Sequence, residues 1–414
     1  MKALILEQTA GDFKPGPKCY HPAKVAHLPV PIAEQGQVLV KIIAAAFNHR
    51  DLFIRQSVGN ATNALDKFGL YPGVIFSTAE QPSIFGADAV GIVKSPNHPL
   101  HNKAVLVAPA VNWLSSPLGP DQKQPFGILG NVRQTGGRGT FAEYVVVDKD
   151  DLIECPAHLT KGGKQGWCEA AAVPLGGLTA YRSVRTFERF VGNHPSSALT
   201  RCSSFSTSAV FTKAKVEKGH NVLITGIGGG VAITALQFCV AAVLASEIDL
   251  ISASRRQVSS SSEQKIQRAV ELGAKGGINY KDATWTKQLQ ALLPKDHPYL
   301  DSVVDSGGGP IATQVSRLLK DGGIVSCYGQ TTGQEVGINM GFVLKNQEFK
   351  GSTMGSREEF FESVKFTDRY GIRPVVADVL DGLEEAEKGF EILKKGSQFG
   401  KIVIYLGEEQ KHKS

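Results

Sequence analysis

The sequence predicts an α/β chain, a doubly wound parallel sheet joined to an antiparallel, barrel-like domain. Three observations carry this. From about residue 209 the pattern alternates strand, helix, strand, helix, as parallel strands joined by crossover helices do. Before about residue 155 the chain reads as short strands punctuated by Pro and Gly, the mark of an antiparallel barrel. At residues 221–237 an apolar strand breaks into Gly226-Ile227-Gly228-Gly229-Gly230, and a helical pattern follows at Val231, Ala235, Leu236 and Phe238.

In chain order, MKALIL opens as a strand, and residues 38–43, 89–93, 104–107 and 144–147 are the clearest strands of the first region. In the alternating region the expected strands are 222–225, 248–252, 302–305 and 324–327, with helices over 263–272 and 311–319. Helices near 357–370 and 383–395 and a last strand at 401–405 are expected to return to the first domain. Four stretches read as insertions: 57–68, 77–83, 161–167 and above all 183–208. The last is rich in Ser and Thr, lacks periodicity and interrupts a helical run. It is expected to be poorly ordered padding, since long structureless loops inside compact domains are uncommon.

A chain of 414 residues exceeds one ordinary core, so two domains are expected. The net charge of +6 is modest and scattered, which argues against nucleic acid as a partner. No stretch approaches the roughly 18 apolar residues of a membrane helix. The N-terminus resembles neither a signal nor a transit peptide, so a cytoplasmic site is the expectation. Six cysteines (Cys19, Cys155, Cys168, Cys202, Cys239, Cys327) include no C-x-x-C pair. They suit neither a zinc ribbon nor a disulfide framework and read mostly as buried thiols.

The glycine turn carries the chemistry. Glycine lets the backbone approach the pyrophosphate of a dinucleotide, and a helix N-terminus supplies N–H groups and a positive dipole end. The G-x-G-x-x-G spacing fails, because its third glycine falls on Val231. G-x-x-G-x-x-A fits Gly226, Gly229 and Ala232. Gly226, Gly229, Gly230 and Val231 are therefore the expected pyrophosphate contacts.

Eight collinear segments resemble the medium-chain dehydrogenase/reductase family: FNHRDLFIRQ (47–56), FGADAVGIV (85–93), GTFAEYVVV (139–147), VPLGGLTAYR (173–182), NVLITGIGGGVAITALQF (221–238), ELGAKGGINY (271–280), KGSTMGSREEF (350–360) and FGKIVIYL (399–406). Within it the chain is similar to the zinc-less quinone-oxidoreductase and enoyl-reductase group, and to fungal and bacterial zinc-type alcohol dehydrogenase-like proteins. The resemblance implies a Rossmann sheet inserted into a GroES-like antiparallel β-barrel catalytic domain. It places the catalytic domain at 1–182, the NADP-binding domain at 209–345, the return at 346–414 and an insertion at 183–208. It also implies a homodimer or homotetramer.

Zinc-dependent members hold the metal with a Cys, a His and a second Cys or Asp. The resemblance puts Asn48, Ala87 and Leu175 at those positions. None is a ligand that catalytic zinc prefers. His49 stands alone beside them and reads as a surface or hydrogen-bonding residue. The four-cysteine structural lobe is missing from 94–138. Without a Lewis acid an alcohol is hard to oxidise, whereas hydride delivery to an electron-poor carbon of a quinone, enal or enone stays feasible.

NADP(H) is the expected cofactor. Where NAD binding uses an acid after the second strand, this chain has Ser254-Arg255-Arg256 and then SSSEQK (260–265). Serines and cations suit a 2′-phosphate. Whether Ser254 with Arg255 and Arg256, or Ser261 with Lys265, holds it stays open. Tyr280 resembles a residue near the adenosine phosphate in quinone reductases. Gly307 and Tyr328 follow later strands, where the nicotinamide end is expected. Asn48 could donate to a substrate carbonyl. Asp51 sits where zinc proteins keep a supporting acid, and orienting Arg55 or the barrel backbone is the better reading for it. Tyr71 is the candidate matching the tyrosine of enoyl-thioester reductases. The expected activity is NADPH-dependent, zinc-independent reduction of a quinone or α,β-unsaturated carbonyl. The alternatives are an enoyl-thioester reductase of fatty-acid or polyketide synthesis, and a non-catalytic NADPH-binding redox sensor.

Overall fold

Period-two alternation of apolar side chains builds the first region. The computed structural model describes residues 1–8, 20–56, 74–120, 125–184, 213–217, 219–244, 255–332 and 335–407. Strands β1 (Lys2–Leu6) and β2 (Ala23–His27) pair antiparallel. Then come β3 (Gln37–Ala46), α1 (His49–Arg55), β4 (Asp88–Val93), β5 (Ala104–Val107), the short pair β6 (Ala110–Val111) and β7 (Gly127–Ile128), β8 (Tyr144–Asp148) and β9 (Leu152–Glu154). Helices α2 (Ala157–Thr160), α3 (Gly163–Ala171) and α4 (Pro174–Val184) follow.

Next come β10 (Asn221–Ile224), α5 (Gly230–Leu244), β11 (Arg255–Ser260), α6 (Glu263–Glu271), β12 (Gly276–Asn279) and α7 (Trp285–Leu292). They are followed by β13 (Leu300–Asp305), α8 (Ile311–Val315), β14 (Leu319–Cys327), α9 (Met340–Leu344) and β15 (Glu348–Gly351). The chain ends on α10 (Arg357–Arg369), β16 (Val376–Asp381), α11 (Ala386–Lys395) and β17 (Lys401–Tyr405).

Two compact units result. One comprises Met1–Tyr181, Ile227–Gln237 and Met354–Ser414. Its main sheet runs β16-β17-β3-β4-β5-β9, with β8 also paired to β3. All these pairings are antiparallel except β16 with β17. A register shift between Ile42 and Ala44 turns β3 from one face to the other. Val38, Val40 and Ile42 join a core with Phe47, Phe85, Phe141 and Phe390, while Ala44 and Ala46 join one with Cys168, Ala171, Phe360 and Val364.

The other unit comprises Arg182–Gly226 and Phe238–Thr353. Its sheet runs β12-β11-β10-β13-β14-β15, every pair parallel. This is the doubly wound order 3-2-1-4-5-6, whose switch point lies between β10 and β13. Leu223, Val303 and Val325 of its strands pack with Trp285, Leu289 and Val315 of its helices.

Two expectations of local structure change. Of residues 161–167, read as a loop, 163–167 form the first half of α3, which buries Cys168, Ala170 and Ala171. The second strand of the parallel sheet is Arg255–Ser260, although its sequence RRQVSS looks polar. The expected strand at 248–252 lies outside the described residues, as do 57–68 and all of 183–208 after residue 184. Residues 77–83 are tied down by Ser83, whose N–H donates to Ser77 Oγ (2.9 Å) and whose hydroxyl donates to the Ile75 carbonyl (2.7 Å). Burial pushes the thiols of Cys155, Cys168, Cys239 and Cys327 up to about 12, so none is a thiolate near neutrality. Cys19 and Cys202 lie outside the described residues. Among the described residues no helix is long and apolar enough to cross a membrane.

Candidate active site

A lysine opens the buried strand β17. Lys401 is 7 % exposed, and burying an ammonium is costly unless it is paired. Its Nζ donates to Asp88 Oδ2 (2.8 Å) and Asn48 Oδ1 (2.7 Å). Asn48 Nδ2 donates in turn to Asp88 Oδ2 (3.0 Å) and, more weakly, to the Ala46 carbonyl (3.4 Å). Asp88 Oδ1 accepts from the Leu175 backbone N–H at 2.6 Å. The amide orientation of Asn48 follows from chemistry, because a carboxylate only accepts and an ammonium only donates.

Asn48, Ala87 and Leu175, the three positions that resemblance matched to zinc ligands, are thus drawn together by Asp88, the neighbour of Ala87. The Lys401 ammonium, paired with Asp88, lies among them. This set of groups does not fit a metal, because Lys401 repels a second cation and the side chains at 87 and 175 offer no donor atom. Among the described residues no three His, Cys, Asp or Glu side chains are grouped as metal ligands. His49 meets solvent, yet the surrounding protein and then the Lys401 charge hold its imidazole below its usual range, so it is neutral at pH 7.

The glycine turn reaches the same cluster. Gly400 N–H donates to the Gly228 carbonyl at 3.0 Å. The Lys401 stem crosses Gly230, the first residue of α5. A Cβ at Gly230 would lie 2.4 Å from Lys401 Cδ. Gly230, expected only as a phosphate contact, therefore also makes room for the lysine. The turn itself fits a pyrophosphate: Gly226 (φ +64°) and Gly228 (φ +136°) adopt conformations that side chains disfavour. The first N–H groups of α5, at Gly230 and Val231, are not consumed within the helix.

Asp51 is fully buried, and its Oδ2 accepts from the Asn48 backbone N–H at 2.8 Å, fixing the start of α1. Its role is on the backbone and not on Arg55, which donates instead to the His21 carbonyl, Tyr20 and Glu387. Asp51 Oδ1 has no hydrogen-bond donor and meets Arg50 only at 3.9 Å. Burial accordingly raises its carboxyl from 3.8 to about 6, against the pull of Arg50. A raised carboxyl weakens folding as it ionises, so the penalty is absent below about pH 4 and complete above about pH 6. The shift corresponds to about 3 kcal/mol. Urea titrations at pH 4 and pH 7 should show wild type losing up to that amount relative to Asp51→Asn. A pH-independent difference would contradict this assignment.

On the parallel sheet, the remaining candidates collect at carboxyl ends of strands. Tyr280 N–H donates to the Ser260 carbonyl at 3.1 Å, which sets Tyr280 beside Ser261. Ser262 caps α6 by accepting from Lys265 N–H at 3.4 Å. Burial and then Arg268 lower the Lys265 ammonium below its usual range. Asp305 organises the switch point, accepting from Thr225 Oγ1 (2.6 Å), Gly307 N–H (3.2 Å) and Gly308 N–H (2.7 Å). Tyr328 N–H donates to the Asp305 carbonyl at 2.9 Å, and burial and the Asp305 charge keep its phenol neutral. Gly226 sits against Ser306, where a Cβ would come within 2.2 Å of Oγ.

Arg255 and Arg256 are elsewhere. Arg255 pairs with Asn221 at the amino end of the sheet, roughly 16 Å of strand away from Ser260. Arg256 is buried and donates to the carbonyls of Cys239 (3.0 Å) and Gly273 (3.4 Å). Ser254 and Tyr71 lie outside the described residues. Sequence reasoning missed Asp88 and Lys401. The available signal was a charged residue heading each of two apolar strands, DAVGIV and KIVIY.

Residues 34–157 match the alcohol dehydrogenase GroES-like domain, and residues 253–369 match the zinc-binding dehydrogenase domain. The chain is 34 % identical over 403 residues to the zinc-type alcohol dehydrogenase-like protein YogA of Leptosphaeria maculans, covering 94 % of this chain and 96 % of that one. It is 24 % identical over 384 residues to an acryloyl-coenzyme A reductase of Metallosphaera sedula, covering 90 % and 93 %. Among solved structures, an NAD-dependent alcohol dehydrogenase superposes with a TM-score of 0.71 at 27 % identity, covering 98 % and 100 %. The crotonyl-CoA carboxylase/reductase AntE in complex with NADP, at 19 % identity, shares the fold with a TM-score of 0.72, covering 99 % and 95 %. A GroES-like domain, a Rossmann-type parallel sheet and a full-length relative at 34 % identity agree, and the chain belongs to the medium-chain dehydrogenase/reductase superfamily of oxidoreductases.

Proposed function

We propose that the protein is an NADPH-dependent, zinc-independent oxidoreductase that transfers hydride to a quinone or an α,β-unsaturated carbonyl. One observation supports this reading: the buried Lys401–Asp88–Asn48 cluster includes Asn48 and adjoins Ala87 and Leu175, the three positions matched to zinc ligands. An alcohol must lose a proton from oxygen as it gives up hydride, and a metal makes that loss easy. A conjugated acceptor needs only a polarised carbonyl and a proton from water.

When bound, NADPH supplies the hydride. Gly226, Gly229, Gly230 and Val231 would hold its pyrophosphate, and Ser261, Lys265 and Tyr280 its 2′-phosphate. Gly307 and Tyr328 would meet the nicotinamide end. The acryloyl-coenzyme A reductase relatives support a second reading in which the acceptor is an enoyl thioester. Both readings describe the same chemistry on acceptors of different size.

The test is NADPH oxidation by chelator-treated protein against enals, enones, quinones and short enoyl-CoA thioesters. Turnover is expected with at least one class and without added metal. Activity that appears only on adding zinc, or alcohol oxidation in preference to enone reduction, would overturn the reading. NADPH binding without turnover of any acceptor would favour the redox sensor.

A further inference from the structure

We infer that the buried Asp305 carboxylate makes the bound cofactor a stronger hydride donor, as a fixed negative charge at the nicotinamide end of the site; this rests on the NADPH-dependent reading above. Asp305 ends β13, at the carboxyl edge of the parallel sheet and beside the switch point between β10 and β13. In that reading Ser261, Lys265 and Tyr280 take the adenosine end, past β11 and β12. A dinucleotide laid across the switch point brings its other end over β13 and β14, where Asp305, Gly307 and Tyr328 stand. All of these residues belong to the parallel-sheet unit.

The surroundings of Asp305 are those of an ionised carboxylate without a counterion. Its Oδ1 accepts from Thr225 Oγ1 (2.6 Å). Its Oδ2 accepts from the N–H groups of Gly307 (3.2 Å) and Gly308 (2.7 Å) and from Cys327 Sγ (3.4 Å). Two backbone N–H groups, a hydroxyl and a thiol suit a group that only accepts, and each of them is neutral. Among the described residues no Lys, Arg or His forms an ion pair with it. Asp305 is 1 % exposed, so solvent ions screen it little. The adjacent acids add no charge of their own. Burial, and then Asp305 itself, raise the Cys327 thiol to about 12 and hold the Tyr328 phenol above its usual range. Asp305 acts through its charge and through the Gly307–Gly308 turn it holds, and is a positioning residue.

Hydride donation changes the charge at this end of the site by one. Hydride leaves C4 of the neutral dihydronicotinamide with its electron pair, and the ring is left as a cation. The pair forms the new bond from hydrogen to the acceptor. The acceptor, reduced by two electrons, then takes one proton from water, and solvent neutralises the hydroxide. A buried anion favours the cationic ring over the neutral one. Asp305 thereby tightens NADP⁺ relative to NADPH and lowers the potential of the bound couple, by about 30 mV for each tenfold in that ratio.

The test is calorimetric titration of the full-length protein with NADP⁺, NADPH and 2′-phospho-ADP-ribose, which lacks the nicotinamide. Asp305→Asn removes the charge and keeps the shape. Its amide N–H group can donate to Thr225 Oγ1 once that hydroxyl turns away, while its oxygen keeps both glycine N–H groups. This variant is expected to raise the Kd for NADP⁺ about tenfold or more and that for NADPH by less than about threefold. Thr225→Val disturbs the same network and keeps the charge, so it is expected to weaken both nucleotides alike. Wild type is expected to bind NADP⁺ more tightly than 2′-phospho-ADP-ribose.

An unchanged NADP⁺ to NADPH ratio in Asp305→Asn, or the same change of ratio in Thr225→Val, overturns the assignment. So does a wild type that binds NADP⁺ no more tightly than 2′-phospho-ADP-ribose, an arm that stands even if Asp305→Asn fails to fold. An unchanged ratio with enone turnover by wild type rejects Asp305 and leaves the reductase reading intact. A shifted ratio without turnover of any acceptor keeps Asp305 and rejects the reductase.

Discussion

Lys401→Met is expected to cost about 3–5 kcal/mol of folding stability at neutral pH, because it leaves Asp88 buried and unpaired. Asp88 has no exposed surface, and its remaining donors are neutral: the Leu175 N–H and the Asn48 amide. Most of the loss should return when Asp88→Asn is added, since removing both members of a buried ion pair is often nearly neutral. Urea denaturation of the four proteins at pH 7.5 gives the coupling energy directly. A single variant as stable as wild type, or a double variant no better than the single, would show that the pair does not hold this region together.

Lys265→Glu is expected to raise the dissociation constant for NADPH about 10- to 100-fold and that for NADH by less than about threefold, given about 1.5–3 kcal/mol for a hydrogen bond to a charged group. The 2′-phosphate is the only difference between the two cofactors, and Lys265 follows the strand end at which Tyr280 N–H meets the Ser260 carbonyl, next to Ser261. The substitution should not loosen α6. Ser262 is its N-cap, and glutamate three residues on completes a capping box. Titration of intrinsic fluorescence with each cofactor reads the result. Equal weakening of NADPH and NADH would place Lys265 outside the 2′-phosphate site.

Legibility of the fold tracked local signal. Strands such as Gln37–Ala46 and Leu300–Asp305 are dense in Val, Ile and Leu, and the sequence pattern locates them. Arg255–Ser260 escaped because a strand buried in a parallel sheet ordinarily reads apolar. Here Arg256, Gln257, Ser259 and Ser260 are buried polar groups, and Arg256 is satisfied by carbonyls of other elements. The neighbouring run at 248–252 matched the apolar rule better and drew the expectation there. In the site, the glycine turn and the unsuitable residues at 48, 87 and 175 are local and readable. The pairing of Lys401 with Asp88 joins residues 313 positions apart, which no window of sequence brings together. Asn48 was located from its motif, but the direction of its amide depended on those two distant charges.

The salt-linked cluster at Asn48 also constrains what the surrounding positions can become. A shorter side chain at 48 takes away one of the two acceptors of the Lys401 ammonium, and removing Lys401 strands Asp88 in the interior. Three residues far apart in the chain are thereby bound to vary together or not at all.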